Sequence, residues 1–200
     1  ARGARIEGNR ITDNLFGIYL HGAPDALAQN NHIIGLRRDG RSEIGNGVSV
    51  WNAPGARVVD NDIRYGRDGI FVISSRGNVF RGNRFRDLRF AIHYMYAKDG
   101  EIIGNVSRDN IIGYALMFSN RLVVRDNVSD HDRDRGFLFN AANSSAVTGN
   151  SVIGGLQPAA RWATADNPSD DAMAGAAADG RSARAGARPA PEKCVFIYNA

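Results

Sequence analysis

The sequence has one cysteine among its 200 residues and no apolar run long enough to cross a membrane. A single cysteine excludes an internal disulfide and says little about the compartment. The net charge of +4 comes almost wholly from arginine, and the acidic and basic side chains are interleaved. This interleaving argues against a nucleic-acid partner, because a binding surface of that kind clusters its basic residues.

The sequence also lacks the regular leucine pattern and the helix-length segments of leucine-rich repeats. Its strongest feature is a row of asparagines spaced by 22 residues, comprising Asn61, Asn83, Asn105 and Asn127. Asn9 and Asn31 have the same spacing, and Asn150 follows Asn127 by 23 residues. A fixed period in the twenties predicts a stacked-repeat architecture.

A second row contains small residues, namely Gly17, Gly47, Gly69, Ala91, Gly113, Gly136 and Cys194. Short segments rich in Val, Ile, Phe and Tyr precede each asparagine and follow each small residue, and Gly, Asn and Asp bound them. This pattern is typical of strands. We therefore predict an all-β chain, a single-stranded right-handed parallel β-helix with coils of about 22 residues.

Stacked coils place equivalent positions above one another. The first and third residues after each small residue, such as Ile70 and Val72, should point into the core because strand side chains alternate between faces. The asparagines should form stacked turns, because an asparagine can tolerate a left-handed backbone and its amide can donate to its neighbour's carbonyl. The small residues should be there for steric reasons.

The chain is expected to be one β-helix domain over residues 1–200, and to be a segment of a longer solenoid because both ends fall inside a repeat. Two departures from the period predict insertions. A short one lies near residues 35–45, and a flexible one, rich in Ala, Gly, Asp and Arg, lies near residues 155–192.

The second and fourth residues after each small residue should point away from the core, and we name these two columns the outer stripe. A solvated sheet face would carry Lys, Thr, Glu and Ser, whereas the outer stripe is aromatic and rich in Met and His. An outward apolar stripe predicts a contact surface, unless a loop or further chain covers it. The candidate partner-binding residues are Tyr19, Trp51, Phe71, Ile73, Phe196 and Tyr198.

The outer stripe also contains a set of soft metal ligands. Met95 and Met117 occupy the same column in adjacent coils, and His93 lies two residues before Met95 on the same face. Thioether and imidazole groups together suit copper, and Met suits Cu(I) in particular. The alternative is that both methionines pack against aromatic rings without a metal.

An enzymatic function is the competing hypothesis, because parallel β-helices also act on acidic polysaccharides. Such a site needs a carboxylate pair or an acidic metal site on an exposed sheet, and the outer stripe contains no Asp or Glu. A column formed by Arg64, Arg86 and Arg108 could face a polyanion. The preferred interpretation is an arginine stack paired to Asp87 and Asp109.

Four segments resemble the NosD family of periplasmic β-helix proteins, and they are residues 64–72, 90–96, 113–119 and 193–200. The most specific are FAIHYMY at residues 90–96 and GYALMFS at residues 113–119. The resemblance spans nearly the whole chain except the segment after Gly155.

The resemblance implies a periplasmic, non-enzymatic factor in the maturation of nitrous-oxide reductase. It implies three partners: the membrane subunit of an ABC transporter, a copper-chaperone lipoprotein and nitrous-oxide reductase itself, whose copper-sulfur centre is assembled. Copper would then be a transient ligand, and His93, Met95 and Met117 would be its contacts.

Overall fold

The computed structural model describes residues 1–37, 44–154 and 193–198. These residues form strands and turns without a helix, and the strands build three parallel sheets of seven strands each. The parallel β-helix predicted from the period is therefore confirmed.

The first sheet contains β1 (Arg5–Glu7), β4 (Leu27–Gln29), β7 (Arg57–Val59), β10 (Val79–Arg81), β13 (Glu101–Ile103), β16 (Val123–Arg125) and β19 (Ala146–Thr148). The second contains β2 (Arg10–Asn14), β5 (His32–Gly35), β8 (Asp62–Arg64), β11 (Arg84–Arg86), β14 (Val106–Arg108), β17 (Val128–Asp130) and β20 (Ser151–Ile153). The third contains β3 (Ile18–His21), β6 (Val48–Trp51), β9 (Asp68–Ile73), β12 (Phe90–Met95), β15 (Ile112–Asn120), β18 (Arg135–Asn143) and β21 (Lys193–Tyr198).

Each strand pairs with the strand three places further along the chain, so that one coil stacks on the next. Phe80 of β10, for example, lies between Val58 of β7 and Ile102 of β13, and all three side chains are fully buried. The core is thus a set of apolar columns inside the coils. An apolar residue in one coil is covered by its equivalents above and below.

The columns predicted to face the core do so. Ile70, Ile92 and Tyr114 are paired in register and fully buried. Val195 and Ile197 continue these columns by register, yet they are 52% and 64% exposed. The physical reason is that β21 is the last strand of its sheet among the described residues, so that its inward side chains are packed from one side.

The asparagine row forms a continuous hydrogen-bonded ladder. The backbone N–H and the Nδ2 of Asn83 both donate to Oδ1 of Asn105 at 3.0 Å, and the same Nδ2 donates to the carbonyl of Val58 at 2.8 Å. The asparagines of the row do not themselves adopt the left-handed backbone that they could tolerate. It belongs to the preceding residue, such as Asp60 with φ 55° and Gly82 with φ 65°.

The small residues are required by close approach, as expected. A Cβ on Gly69 would lie 2.4 Å from Cδ1 of Phe85 and 2.5 Å from the carbonyl oxygen of Ala91. The first predicted insertion shows as a spacing of 30 residues between Asn31 and Asn61, which remain hydrogen-bonded. Residues 38–43 of that insertion, and the second insertion at 155–192, lie outside the described residues.

Candidate functional site

The third sheet places the predicted metal ligands on its outer side. Ile92 and Tyr94 of β12 are fully buried in the core, so the alternating His93 and Met95 project outward. In the neighbouring strand β15, Met117 is the direct partner of Met95. The structure therefore brings the two methionines together, on adjacent strands about 4.8 Å apart.

His93 lies beside this methionine pair on the same face. It is two residues before Met95, which corresponds to about 6.6 Å along a strand. Among the described residues, no group of three His, Cys, Asp or Glu side chains could hold a metal ion. A metal site at this place therefore depends on the two thioethers together with the imidazole.

The exposure of the outer stripe is uneven along its length. Tyr19, Trp51 and Tyr198 are 50%, 45% and 38% exposed. Four other predicted residues are half-buried, namely Phe71, Ile73, Met95 and Phe196. His93 and Met117 are only 6% and 2% exposed.

Two residues in the middle of the outer stripe pack against apolar residues at or just before the start of the third-sheet strands. Phe90, Ile111 and Ile112 pack with Ala115 and Leu138 of the outer stripe in a cluster separate from the main core. Phe196 packs against the same cluster. The prediction allowed for cover by a loop or by further chain, whereas these contacts come from residues of the same coils that lie outside the two columns.

The exposed parts of the stripe lie at its two ends. Near the N-terminal end, the rings of His21 and Trp51 stack with centroids 4.7 Å apart. Tyr19 of the same strand as His21 meets the ring of Phe16 edge-on at 5.6 Å. At the other end, Tyr198 lies 6.2 Å from the ring of Phe196. The exposed aromatic rings of the outer stripe itself therefore lie near its two ends. Outside the stripe, Tyr96 and Phe118 form an exposed stacked pair directly after Met95 and Met117 in sequence.

A buried ion pair adjoins His93. Arg89 donates from Nε to Oδ1 of Asp68 at 2.8 Å and from Nη2 to Oδ2 at 2.6 Å. Nδ1 of His93 lies 3.1 Å from the same Oδ2, and all three side chains are buried. Burial raises the pKa of Asp68, but the charge and hydrogen bonds of Arg89, together with the hydrogen bond of His93, outweigh it. Its pKa therefore lies well below the usual range, and the carboxylate is ionised.

The other ring nitrogen of His93 is an unpaired atom. Nε2 is buried and has no hydrogen-bond partner in the described part of the chain. The rings of Phe71 and Phe90 lie near the imidazole, with centroids 5.1 and 5.0 Å away. Since buried polar atoms are normally hydrogen-bonded, this imidazole nitrogen, on the face that carries Met95 and Met117, is a candidate ligand atom.

Sequence reasoning missed Asp68 and Arg89. Asp68 is the first residue of β9, and Arg89 immediately precedes β12. At this junction between the corner and the third sheet, regular strand alternation does not predict the direction of a side chain. Asp68 pairs with Phe90 and Ile70 pairs with Ile92, but Gly69 and Ala91 between them do not form a pair in the ladder, so the strand pairing is interrupted at the small-residue column. The sequence did contain a signal for this ion pair. Asp68 and Arg89 are 21 residues apart, which is close to one coil, and each lies within two residues of a member of the small-residue row.

The arginine column of the competing hypothesis is engaged in ion pairs. Arg86 lies 3.5 Å from both Asp87 and Asp109, as the preferred interpretation expected. Arg64 and Arg108 have different partners from those expected, since Arg64 pairs with Asp62 and Arg108 with Asp130.

The chain is similar in sequence to one protein family and to a curated relative. Residues 29–167 match the model of the family described as "Periplasmic copper-binding protein (NosD)". The chain is 39% identical over 152 residues to the "Probable ABC transporter binding protein NosD" of Stutzerimonas stutzeri, which corresponds to 76% of this chain and 35% of that protein. The chain thus spans about a third of the length of this curated relative.

Two solved structures of the periplasmic alginate epimerase AlgG, one of them a mutant, are also similar. Each has a TM-score of 0.36 at 13% identity, covering 74% of this chain and 48% of the epimerase chain. A likeness this distant carries no argument about activity. Within the described ranges, no helix is long and apolar enough to span a membrane.

Proposed function

Because this chain belongs to the NosD family of periplasmic copper-binding proteins, we propose that it acts as a non-enzymatic copper-handover module. The copper would be cargo, held for a short time and passed on. The proposed contacts are the thioethers of Met95 and Met117 and the imidazole of His93.

The placement of three soft donor groups on one face of the third sheet carries this proposal. Met95 and Met117 are direct cross-strand partners, and the buried Nε2 of His93 on the same face has no hydrogen-bond partner in the described residues. Two thioethers and one imidazole nitrogen form a soft donor set, which favours Cu(I) over hard cations such as Mg²⁺ or Ca²⁺. Met95 is half-buried, whereas Met117 and His93 are buried, so a metal would be reached from the Met95 side.

The partners proposed for the handover are the membrane subunit of an ABC transporter, a copper-chaperone lipoprotein and nitrous-oxide reductase. The exposed aromatic residues at the two ends of the outer stripe, Tyr19 and Trp51 at one end and Tyr198 at the other, are the proposed docking contacts. Exposed aromatic side chains supply much of the binding energy of protein interfaces, which supports this assignment. Phe71, Ile73 and Phe196 are half-buried and would contribute at the margins of these contacts.

Titration with Cu(I) against a competing chromogenic chelator tests the proposal. The comparison is between the full chain, the double substitution Met95→Leu with Met117→Leu, and Met173→Leu as the control. Leucine keeps the apolar volume and removes the sulfur, so the fold should be retained. Met173, the remaining methionine, lies outside the described residues.

We expect the wild type and the Met173 control to bind Cu(I), and the double variant to bind at least about 100-fold more weakly, or about 2.8 kcal/mol. Equal binding by the double variant would exclude the methionines as ligands. If the wild type binds no Cu(I), the copper must be held by a partner, and the stripe would then serve for docking alone.

A further inference from the structure

The geometry points to Asp68 and Arg89 as positioning residues that hold His93 with the lone pair of Nε2 available as the ligand atom for copper. This inference rests on the proposed function. It adds two residues that do not touch the metal, and it specifies which of the two imidazole nitrogens does.

The contacts of Nδ1 determine which nitrogen carries the proton. Oδ2 of Asp68, an acceptor, lies 3.1 Å from Nδ1, whereas Nη2 of Arg89, a donor, lies 3.3 Å from it. A proton on Nδ1 satisfies the shorter of the two contacts. In the opposite tautomer, the lone pair of Nδ1 would face the carboxylate of Asp68, which is a contact between two acceptors. Its Nε2–H would be buried with no acceptor among the described residues.

Arg89 supports this arrangement by holding the carboxylate. It donates to both oxygens of Asp68, which fixes the plane of the carboxylate and therefore the direction of Oδ2 toward His93. The guanidinium also lies over the ring of Phe90, with 4.3 Å between its carbon and the ring centroid. Phe90 in turn meets the imidazole edge-on, so the same residues fix the orientation of the ring.

This arrangement has the chemistry of a metal-binding histidine. Such a histidine commonly donates the N–H of its non-ligating nitrogen to a carboxylate, which fixes the tautomer and raises the basicity of the ligating nitrogen. Here the carboxylate, the Nδ1 contact and the unpartnered Nε2 are all present in one buried cluster. An ion pair between Asp68 and Arg89 alone would not require a histidine at this position.

The experiment is a long-range ¹H–¹⁵N spectrum of the histidine rings, with the His93 signals identified by His93→Gln, followed by the Cu(I) titration. The test variant is Asp68→Asn with Arg89→Gln. Changing both residues avoids a buried unpaired charge, which would be strongly destabilising. The control is Asp99→Asn with Arg121→Gln, a bidentate pair of the same chemistry that is exposed and 22 residues apart.

In the wild type we expect His93 to show a protonated Nδ1 and a bare Nε2. In the test variant, this single tautomer should give way to a mixture, and Cu(I) affinity should fall by about 10–100-fold. The control should match the wild type in both measurements. Arg89→Lys, which retains the charge next to Asp68, should keep the tautomer and lose less affinity than the double variant.

A wild-type spectrum with the proton on Nε2 would overturn the inference. So would unchanged Cu(I) affinity in the test variant when the wild type binds the metal. If the wild type binds no Cu(I), the proposed function fails, but the spectrum still decides the tautomer. If the test variant does not fold, the wild-type and Arg89→Lys spectra carry the decision.

Discussion

The two corners that flank the second sheet are built on different plans. At the corner between the first and second sheets, an asparagine recurs from coil to coil, and each makes the same hydrogen bonds to the next. At the corner between the second and third sheets, Leu88, Asn110 and Asp132 follow one another in the same column. The constant corner serves stacking, whereas the variable corner supplies individual side chains to the candidate site.

The variable corner is nonetheless hydrogen-bonded from one coil to the next. Oδ1 of Asn110 accepts from the backbone N–H of Leu88 at 2.8 Å, and Oδ1 of Asp132 accepts from that of Asn110 at 2.9 Å. Arg89, which follows Leu88, forms the buried ion pair with Asp68. Ile111, which follows Asn110, packs in the outer apolar cluster. In this fold, positions where the residue type changes from coil to coil therefore indicate the candidate site better than positions where it repeats.

The largest effect is expected at the constant corner. Asn105→Ala removes an oxygen that accepts two hydrogen bonds from Asn83, and an amide that donates to Phe80 and Asn127. Because the abandoned partners are buried, we expect a loss of about 3–5 kcal/mol in the free energy of unfolding. Urea unfolding followed by circular dichroism measures it. Asn9→Ala at the exposed end of the ladder is the control, with an expected loss of about 1 kcal/mol or less.

The next effect concerns Asp132 of the variable corner. Burial raises its pKa to about 6, although hydrogen bonds from Ser107 and Ser129 act in the opposite direction. Between about pH 4 and pH 6 the folded chain then holds a proton that the unfolded chain has released. The contribution of Asp132 to stability therefore falls as the pH rises through this window, by up to about 3 kcal/mol.

Asp132→Asn should remove this penalty. Asn110 shows how an amide fits the column, since its Nδ2 donates to Oγ of Ser107 at 2.8 Å while its Oδ1 accepts from a backbone N–H. We expect the variant to be more stable than the wild type at pH 7 and equally stable below about pH 4. Chemical unfolding at a series of pH values compares them. A difference that does not change with pH would show that the carboxyl group does not titrate in this window.

The smallest effect is expected between the corners, at Arg86 of β11. Its pairs with Asp87 and Asp109 are long, at 3.5 Å, and its side chain is about half exposed. Arg86→Ala should change the free energy of unfolding by less than about 1 kcal/mol and leave Cu(I) binding unaltered. Binding of a uronic-acid polymer by the wild type, and its loss in this variant, would instead favour the polysaccharide hypothesis.

The parts of the fold that repeat could be predicted from the sequence. The spacing of Asn83, Asn105 and Asn127 indicated the coil length, and strand alternation placed His93 and Met95 on the outer side. Both inferences need only the period and the local geometry of a strand.

The surroundings of those residues could not be predicted in the same way. The cover formed by Phe90, Ile111 and Ile112 depends on how the corner directs side chains, and a periodic pattern does not contain that information. The contact of Asp68 with His93 likewise depends on a break in strand pairing at Gly69. The sequence therefore indicated the direction of the stripe, but it did not show that His93 and Met117 in its middle are buried.

The asparagine ladder also gives the solenoid a direction. From Asn9 to Asn127, each side-chain amide of the row donates to Oδ1 of the asparagine in the following coil. The amide dipoles are therefore aligned along the solenoid axis, and hydrogen bonds in such a chain polarise and strengthen one another. A break at a central coil would weaken the coupling on both sides of it, whereas a break at an end coil would leave the remaining row intact. The mechanical and thermal weak points of this protein should accordingly depend on position along the row, even though the residues in the row are identical.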